Sequence, residues 1–167
     1  DYSMPEFYHA LFSLSAHVIF ITLVIVWGAS LKHRMVRRDL LIFLLTIAFL
    51  MFFFLVARMI KYGLCRDTDT LGRYMWYSYY VAQCFIPSTL LLFSLSLENK
   101  NGKPLENYVY AVVYLPALIL VALIYSNDLH EWAFKLDFSA DSFSYSHRPV
   151  FYMAILWEFG VTAASLG

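Results

Sequence analysis

The chain has 167 residues, of which 61% are hydrophobic, 19% aromatic and 14% charged. A soluble domain carries about 25% charged residues, so a water-soluble fold of this length would lack the polar sequence to cover its surface. The 12 basic and 12 acidic side chains cancel, leaving no global field for nucleic acid. Nor is there a CxxC, a metal-spaced Cys/His cluster or a Gly-rich phosphate loop, so no metal or cofactor is expected.

A helix needs about 20 mostly apolar residues to cross a bilayer. The first apolar run, Phe7–Ala29, is too long for a signal-peptide core and has no basic residue before it. Within it His9, Ser13 and His17 recur every fourth residue and so share a face. A basic loop follows, with Lys32, Arg34, Arg37 and Arg38. The second run is Leu40–Ile60, where Thr46 alone is polar between Leu40 and Phe54, and Arg58 lies near the far end. The next loop holds Lys61, Cys65, Arg66 and Arg73. The third run, Tyr74–Leu97, carries Trp76, Tyr80, Gln83 and Pro87 at helical spacing, and Cys84 well inside it. Cys65 and Cys84 fall at different depths, so two free thiols are expected rather than a disulfide. Lys100 and Lys103 precede the fourth run, Tyr108–Ser126, which contains Pro116; Pro87 and Pro116 are candidate kinks.

The fourth loop is acidic, with Asp128, Glu131, Asp137 and Asp141. In it Phe134, Leu136 and Phe138 alternate with polar residues, as do Phe143 and Tyr145 after Ser139-Ala140-Asp141-Ser142. That period of two around turn residues predicts a small β-hairpin whose aromatic face lies over the helix ends like a lid. The fifth run is Val150–Gly167, where Glu158, Thr162 and Ser165 share a face. Small residues four apart, Gly160 with Ala164 and Ala163 with Gly167, allow close helix contact. Trp27, Tyr74, Trp76 and Trp132 fit interfacial aromatic belts, and the cluster Tyr74, Tyr77, Tyr79 and Tyr80 reads as belt plus packing.

The expected fold is an all-α integral membrane bundle of five spans with an external β-hairpin between the fourth and fifth. The basic loops after the first and third runs belong inside, and the acidic fourth loop outside, so the N-terminus is outside and the last span ends inside. Lys61, Arg66 and Arg73 dissent weakly. Residue 1 is Asp and residue 167 falls within an apolar run, which suggests a fragment of a longer chain.

Charge inside hydrocarbon needs a partner, water or an interfacial exit, since it costs at least about 2.5–3.5 kcal/mol at the helix centre. Counted from the outer helix ends, His17, Gln83 and Glu158 lie roughly 12–15 Å down, and Arg58 about 3–6 Å down. Arg58 could reach Glu158 or snorkel upward. One reading is a polar ligand pocket open to the outside, drawing on His17, Arg58, Trp76, Tyr80, Gln83, His130 and Glu158. The other is an interhelical hydrogen-bond cluster that only holds helices together.

The third run opens Arg73-Tyr74-Met75-Trp76-Tyr77-Ser78-Tyr79-Tyr80 and continues to Pro87. The fourth passes through Tyr114-Leu115-Pro116-Ala117 and ends Ser126-Asn127-Asp128-Leu129-His130; the fifth carries Tyr152 and Trp157-Glu158. Over nearly the whole chain, and most strongly from Arg58 to Glu158, this order and spacing resembles the seven-transmembrane N-terminal sensor region of bacterial histidine kinases. The Asn-Asp-Leu-His ending is the most specific piece, and Asn127, Asp128 and His130 are its motif residues. The resemblance implies one sensor-type domain over residues 1–167, truncated in the fifth of seven spans, in a bacterial plasma membrane. It implies an input module that passes a signal to a cytoplasmic output domain of the same chain. Its partners would be the bilayer, an unidentified small ligand and a second copy in a homodimer. Without a phosphoacceptor or ATP-binding segment the fragment is not expected to be an enzyme. Asp128 would cap or turn the chain into the hairpin and His130 would face the pocket mouth, although such a motif also serves simply as a stabilising turn.

Two other function classes compete. A small transporter or channel subunit could line a path with Glu158, His17 and Arg58, but the thinly charged inner half favours a pocket over a pore. A membrane enzyme using His17 or His130 with Glu158 as acid–base groups finds no residues at catalytic spacing.

Overall fold

The computed structural model describes residues 4–35, 37–65, 70–99, 104–139 and 142–166, with side chains from Leu14 onward and outside 137–143. Expectations resting on the side chains of His9, Ser13, Asp137, Phe138 and Phe143, or on Arg66, Lys100, Lys103, Ala140, Asp141 and Gly167, lie outside the described residues. In chain order the elements are α1 (Met4–Arg34), α2 (Arg38–Leu64), α3 (Thr70–Tyr77), α4 (Tyr79–Glu98), α5 (Asn107–Tyr125), α6 (Asn127–His130), β1 (Phe134–Ser139), β2 (Ser142–His147) and α7 (Pro149–Leu166).

Five segments are long and apolar enough to cross a membrane: Leu14–Arg34, Arg38–Leu64, Thr70–Glu98, Asn107–Tyr125 and Pro149–Leu166. The helices outrun the apolar runs of the sequence, α1 reaching Arg34 and α2 reaching Leu64. Hydropathy falls where Lys32, His33, Arg34 and Lys61 begin, but the backbone goes on hydrogen bonding. Basic side chains in a last turn also complement the helix dipole. At 27 residues, α2 is about 40 Å long, against about 30 Å of hydrocarbon, so its charged ends have room to stand clear of a bilayer core.

Helices α3 and α4 make one span, tightened at Ser78. There the Ser78 amide and hydroxyl both donate to the Tyr74 carbonyl, at 3.0 and 2.9 Å, and Val81 N–H turns back to the Ser78 carbonyl at 3.2 Å. The helices continue through Pro87 and Pro116. Helix α4 is the centre of the bundle, packing on α2, α5 and α7, while α1 packs on α2. Gly28 and Ala48 bring α1 and α2 close: a Cβ at Gly28 would sit 3.5 Å from the Ala48 methyl.

Two apolar clusters hold the bundle. One joins Tyr77, Tyr80 and Cys84 to Ile124, Phe134 and Ala154; the other joins Phe43, Leu92 and Val113. Tyr77, Tyr79 and Tyr80 are buried, as the packing half of that reading expects, whereas Tyr74, Trp27 and Trp132 are exposed. Gly160, Ala163 and Ala164 face outward, and nothing lies within 4 Å of a Cβ built at Gly160. The small-residue face of α7 therefore makes no close helix contact among the described residues. Both cysteines are free thiols, as their depths require.

The opposite end of α4 is held by Arg37. Its guanidinium donates to the Ser96 carbonyl at 3.0 Å and pairs with Asp39 at 2.6 Å. One of the carbonyls that a helix C-terminus leaves open is thereby occupied.

The hairpin forms where the alternation predicts it. β1 and β2 are antiparallel, with Phe134 opposite His147, Leu136 opposite Tyr145 and Phe138 opposite Phe143. Directly opposed residues share a face of the ribbon, so Phe134, Leu136, Tyr145 and His147 lie on one side. Its base is sewn to α7 by Arg148 N–H to the Ala133 carbonyl at 2.9 Å and Val150 N–H to the Trp132 carbonyl at 3.1 Å. Pro149, which has no N–H to leave unpaired, opens α7 between them.

Candidate functional site

The polar groups concentrate at the hairpin end of the bundle, around Asn127. After α5 ends, Ser126 and the short α6 turn the chain toward β1. Asn127 in that turn is fully buried. Its Oδ1 accepts from Ala133 N–H at 2.9 Å and Phe134 N–H at 2.8 Å. Its Nδ2 donates to the Phe134 carbonyl at 2.9 Å and to the Tyr77 hydroxyl at 3.3 Å. Two donors and two acceptor positions are all an amide side chain has, and all are used.

Asp128 continues the network. The Tyr77 hydroxyl donates to its Oδ1 at 2.8 Å, and the Arg73 guanidinium meets its Oδ2 at 3.0 Å. Tyr77 thus accepts from Asn127 and donates to Asp128, which orients both side chains about one hydroxyl. At the next residue, Ser78 Oγ gives its hydrogen to the Tyr74 carbonyl, so the Tyr125 hydroxyl must be the donor in their 2.7 Å contact. The helix α3–α4 junction is in this way bonded to the end of α5.

His130 closes the turn. Its Nδ1 accepts from Trp132 N–H at 3.0 Å, so a neutral ring carries its hydrogen on Nε2. That hydrogen points to Ser126 Oγ at 3.0 Å, and Ser126 passes its own to the Ala122 carbonyl at 2.8 Å. Both ring nitrogens are engaged, which leaves the ring face, tilted against Trp132 at 4.7 Å, as what His130 presents. Glu131 then takes a left-handed backbone, φ 52°, ending α6 and sending the chain to the hairpin.

Above this network sits an aromatic plug. The ring of Phe134 is wholly buried, 4.6 Å from Trp76 and 5.5 Å from Tyr80, and stacks on Tyr77 at 6.3 Å. Tyr145 of β2 adds a third ring, 4.8 Å from Trp76 and edge-on to Phe134 at 6.1 Å. The expected lid is therefore a wedge, pushed between helix ends rather than laid across them.

The seven residues expected to form one polar pocket are divided. Trp76 and Tyr80 meet in the plug. Half-buried Glu158 lies near enough to Tyr80 and Cys84 for its carboxylate to act on both electrostatically. It makes no hydrogen bond or ion pair among the described residues. His130 belongs to the turn, and His17 is half-buried on α1. Gln83 and Arg58 are exposed, and the Arg58 guanidinium lies over the Tyr62 ring at 5.4 Å rather than on Glu158. Midway down the bundle two interhelical contacts are of the simple stabilising kind. Trp157 Nε1 donates to Ser88 Oγ at 3.3 Å, and the Tyr114 hydroxyl donates to Thr89 Oγ1 at 3.1 Å, since Thr89 gives its own hydrogen to the Phe85 carbonyl.

No family model, curated protein or solved structure matches this chain.

Proposed function

We propose that the chain is a membrane-embedded signal-input domain, of the kind that precedes a bacterial histidine kinase or a related cytoplasmic output, with its hairpin outside the cell. The observation that carries this reading is the block made by Asn127, Tyr77 and Asp128. It bonds the hairpin to α3 and the end of α5, while the hairpin base is bonded to α7. A ligand or membrane stress that shifts the hairpin thereby reaches α4 and α7 as rigid bodies. The motif Asn127, Asp128 and His130 acts in this reading as the mechanical joint, and no catalytic role is assigned to any residue.

Charge supports the outward hairpin. At the other end Lys32, Arg34 and Arg38 are exposed, as positive cytoplasmic loops require. Of the dissenting cations on the hairpin side, Arg73 is paired with Asp128 and Lys61 lies over the Trp76 ring, which weakens their dissent. A pore is disfavoured because Phe43, Leu92 and Val113 close the interior toward the basic end.

Orientation is checked with a membrane-impermeant maleimide on intact cells, using Cys65→Ser as background. Ser146→Cys should label and Met35→Cys should not; the reverse pattern overturns the orientation. For signalling, the chain is fused through its C-terminus to a cytoplasmic kinase output with a transcriptional reporter. Glu158→Gln and Phe134→Leu should each change reporter output by about fivefold or more, the size of an ordinary allosteric coupling, at unchanged membrane abundance. Unchanged output in both variants, or rapid saturable solute flux into liposomes, would favour the transport reading.

A further inference from the structure

Beside the first turn of α7 lies an open surface cavity of about 600 Å³, lined among others by His130, Glu131, Trp132, Arg148, Val150 and Met153. That volume is in the range of small-molecule sites, about 300–1,000 Å³. Two features of its wall suit a ligand of particular chemistry.

The first is charge. Glu131 and Arg148 have opposite signs and line the same cavity, yet neither pairs with the other or with any other described residue. The left-handed backbone at Glu131 and the Arg148 N–H bond to Ala133 fix where both side chains start. The same cavity is lined by the tilted ring pair of His130 and Trp132, whose histidine has no free ring nitrogen. A free phosphate would use Arg148 and be repelled by Glu131. A group carrying an anion and an ammonium together satisfies both, with an aromatic face for the ammonium.

The second is the change of polarity along the site. Val150 and Met153 make the side nearest the apolar part of α7, and Met153 is 55% exposed. Leu156, 71% exposed, and outward-facing Gly160 follow at three and seven residues, on the same helix face. With nothing within 4 Å of a Cβ at Gly160, an open apolar track runs down α7 from the charged rim.

We propose that this cavity binds a zwitterionic phospholipid of the phosphatidylethanolamine class. Its phosphate meets Arg148, its ammonium meets Glu131, and an acyl chain lies along Met153, Leu156 and Gly160. The site requires a membrane-embedded chain but not the signal-input role, so its failure would leave the reporter test untouched.

The full chain, purified in a neutral detergent, is titrated with dihexanoyl phosphatidylethanolamine and bound lipid is counted by native mass spectrometry. One saturable site is expected. Arg148→Gln should weaken binding about tenfold or more, as loss of a charge-assisted hydrogen bond does, while Arg148→Lys stays within about threefold of wild type. Glu131→Gln should erase the preference for phosphatidylethanolamine over dihexanoyl phosphatidylglycerol. Both positions are exposed, so the variants should fold, and their elution on size-exclusion chromatography reports it. Wild-type affinity in folded Arg148→Gln and Glu131→Gln overturns the site. Displacement of the lipid by equimolar inorganic phosphate or O-phosphoethanolamine overturns the acyl-chain track and assigns the site to a soluble headgroup.

Discussion

Phe134→Ala should cost about 3–5 kcal/mol, the range for removing a large buried aromatic side chain. The ring has no exposed surface and lies among Trp76, Tyr77, Tyr80 and Phe151. These come from the α3–α4 span and α7, so the resulting void cannot be closed by one side chain turning. Aromatic pairs of this geometry add about 0.5–1.5 kcal/mol beyond their buried area, and the substitution loses several at once. Phe134→Leu keeps most of the volume and should lose less than half as much. Two measurements separate global from local effects. Thermal unfolding in detergent should fall by roughly 6–12 °C for about 3 kcal/mol in a chain of this size. Trypsin should cut after Lys135 faster, because that exposed lysine is protected only by strand pairing with Ser146. Equal melting and equal resistance in Phe134→Ala would mean that the wedge bears no load.

What the sequence made legible follows from the physics of each feature. Spans are visible because 20 apolar residues have few other uses. The hairpin is visible because alternation in Phe134, Leu136 and Tyr145 differs from the helical period on both sides. Rotation of each helix is a different matter. In a soluble helix polarity marks the outside, but lipid is as apolar as a protein core, so Phe49 facing out and Phe43 facing in carry the same signal. Depth can be counted from residue number while facing cannot. Hence Gln83, matched in depth to His17 and Glu158, is exposed, and Arg58, counted nearer the helix end, lies over Tyr62 rather than reaching down to Glu158.

The motif shows a related limit. Asp128 and His130 attract attention as ionisable groups, whereas the residue with every hydrogen-bonding position filled is the neutral Asn127. A signal was present: an asparagine just after a hydrophobic helix, a few residues before a strand, is well placed to bond nearby backbone groups. Similarly, Arg73 counts against the orientation only as long as its charge is treated as free. Its partner Asp128 is 55 positions away in sequence (128 − 73), and the Arg73–Asp128 pair is made only by the fold.

Asn127→Asp tests that joint with almost no change of shape. The aspartate still accepts from Ala133 and Phe134 N–H. Its second oxygen, however, replaces the donor that served the Phe134 carbonyl and the Tyr77 hydroxyl. Two acceptors then face an acceptor, and a second negative charge stands next to Asp128. A buried group left unsatisfied costs about 1–3 kcal/mol, so the total should be about 3 kcal/mol or more. Tyr77→Phe removes one of the opposed oxygens. Asn127→Asp should therefore cost about 1 kcal/mol less in that background, a coupling readable from a double-mutant cycle. Acid should narrow the gap to wild type. A carboxyl in this site is pushed above the usual aspartate value, near 3.9, so its penalty is complete above the folded-state value and shrinks as pH falls through it and the group regains a donor. Asn127→Asp within about 0.5 kcal/mol of wild type at neutral pH, the span of an inert surface change, would remove Asn127 from the joint and with it the mechanical link proposed between hairpin and helices.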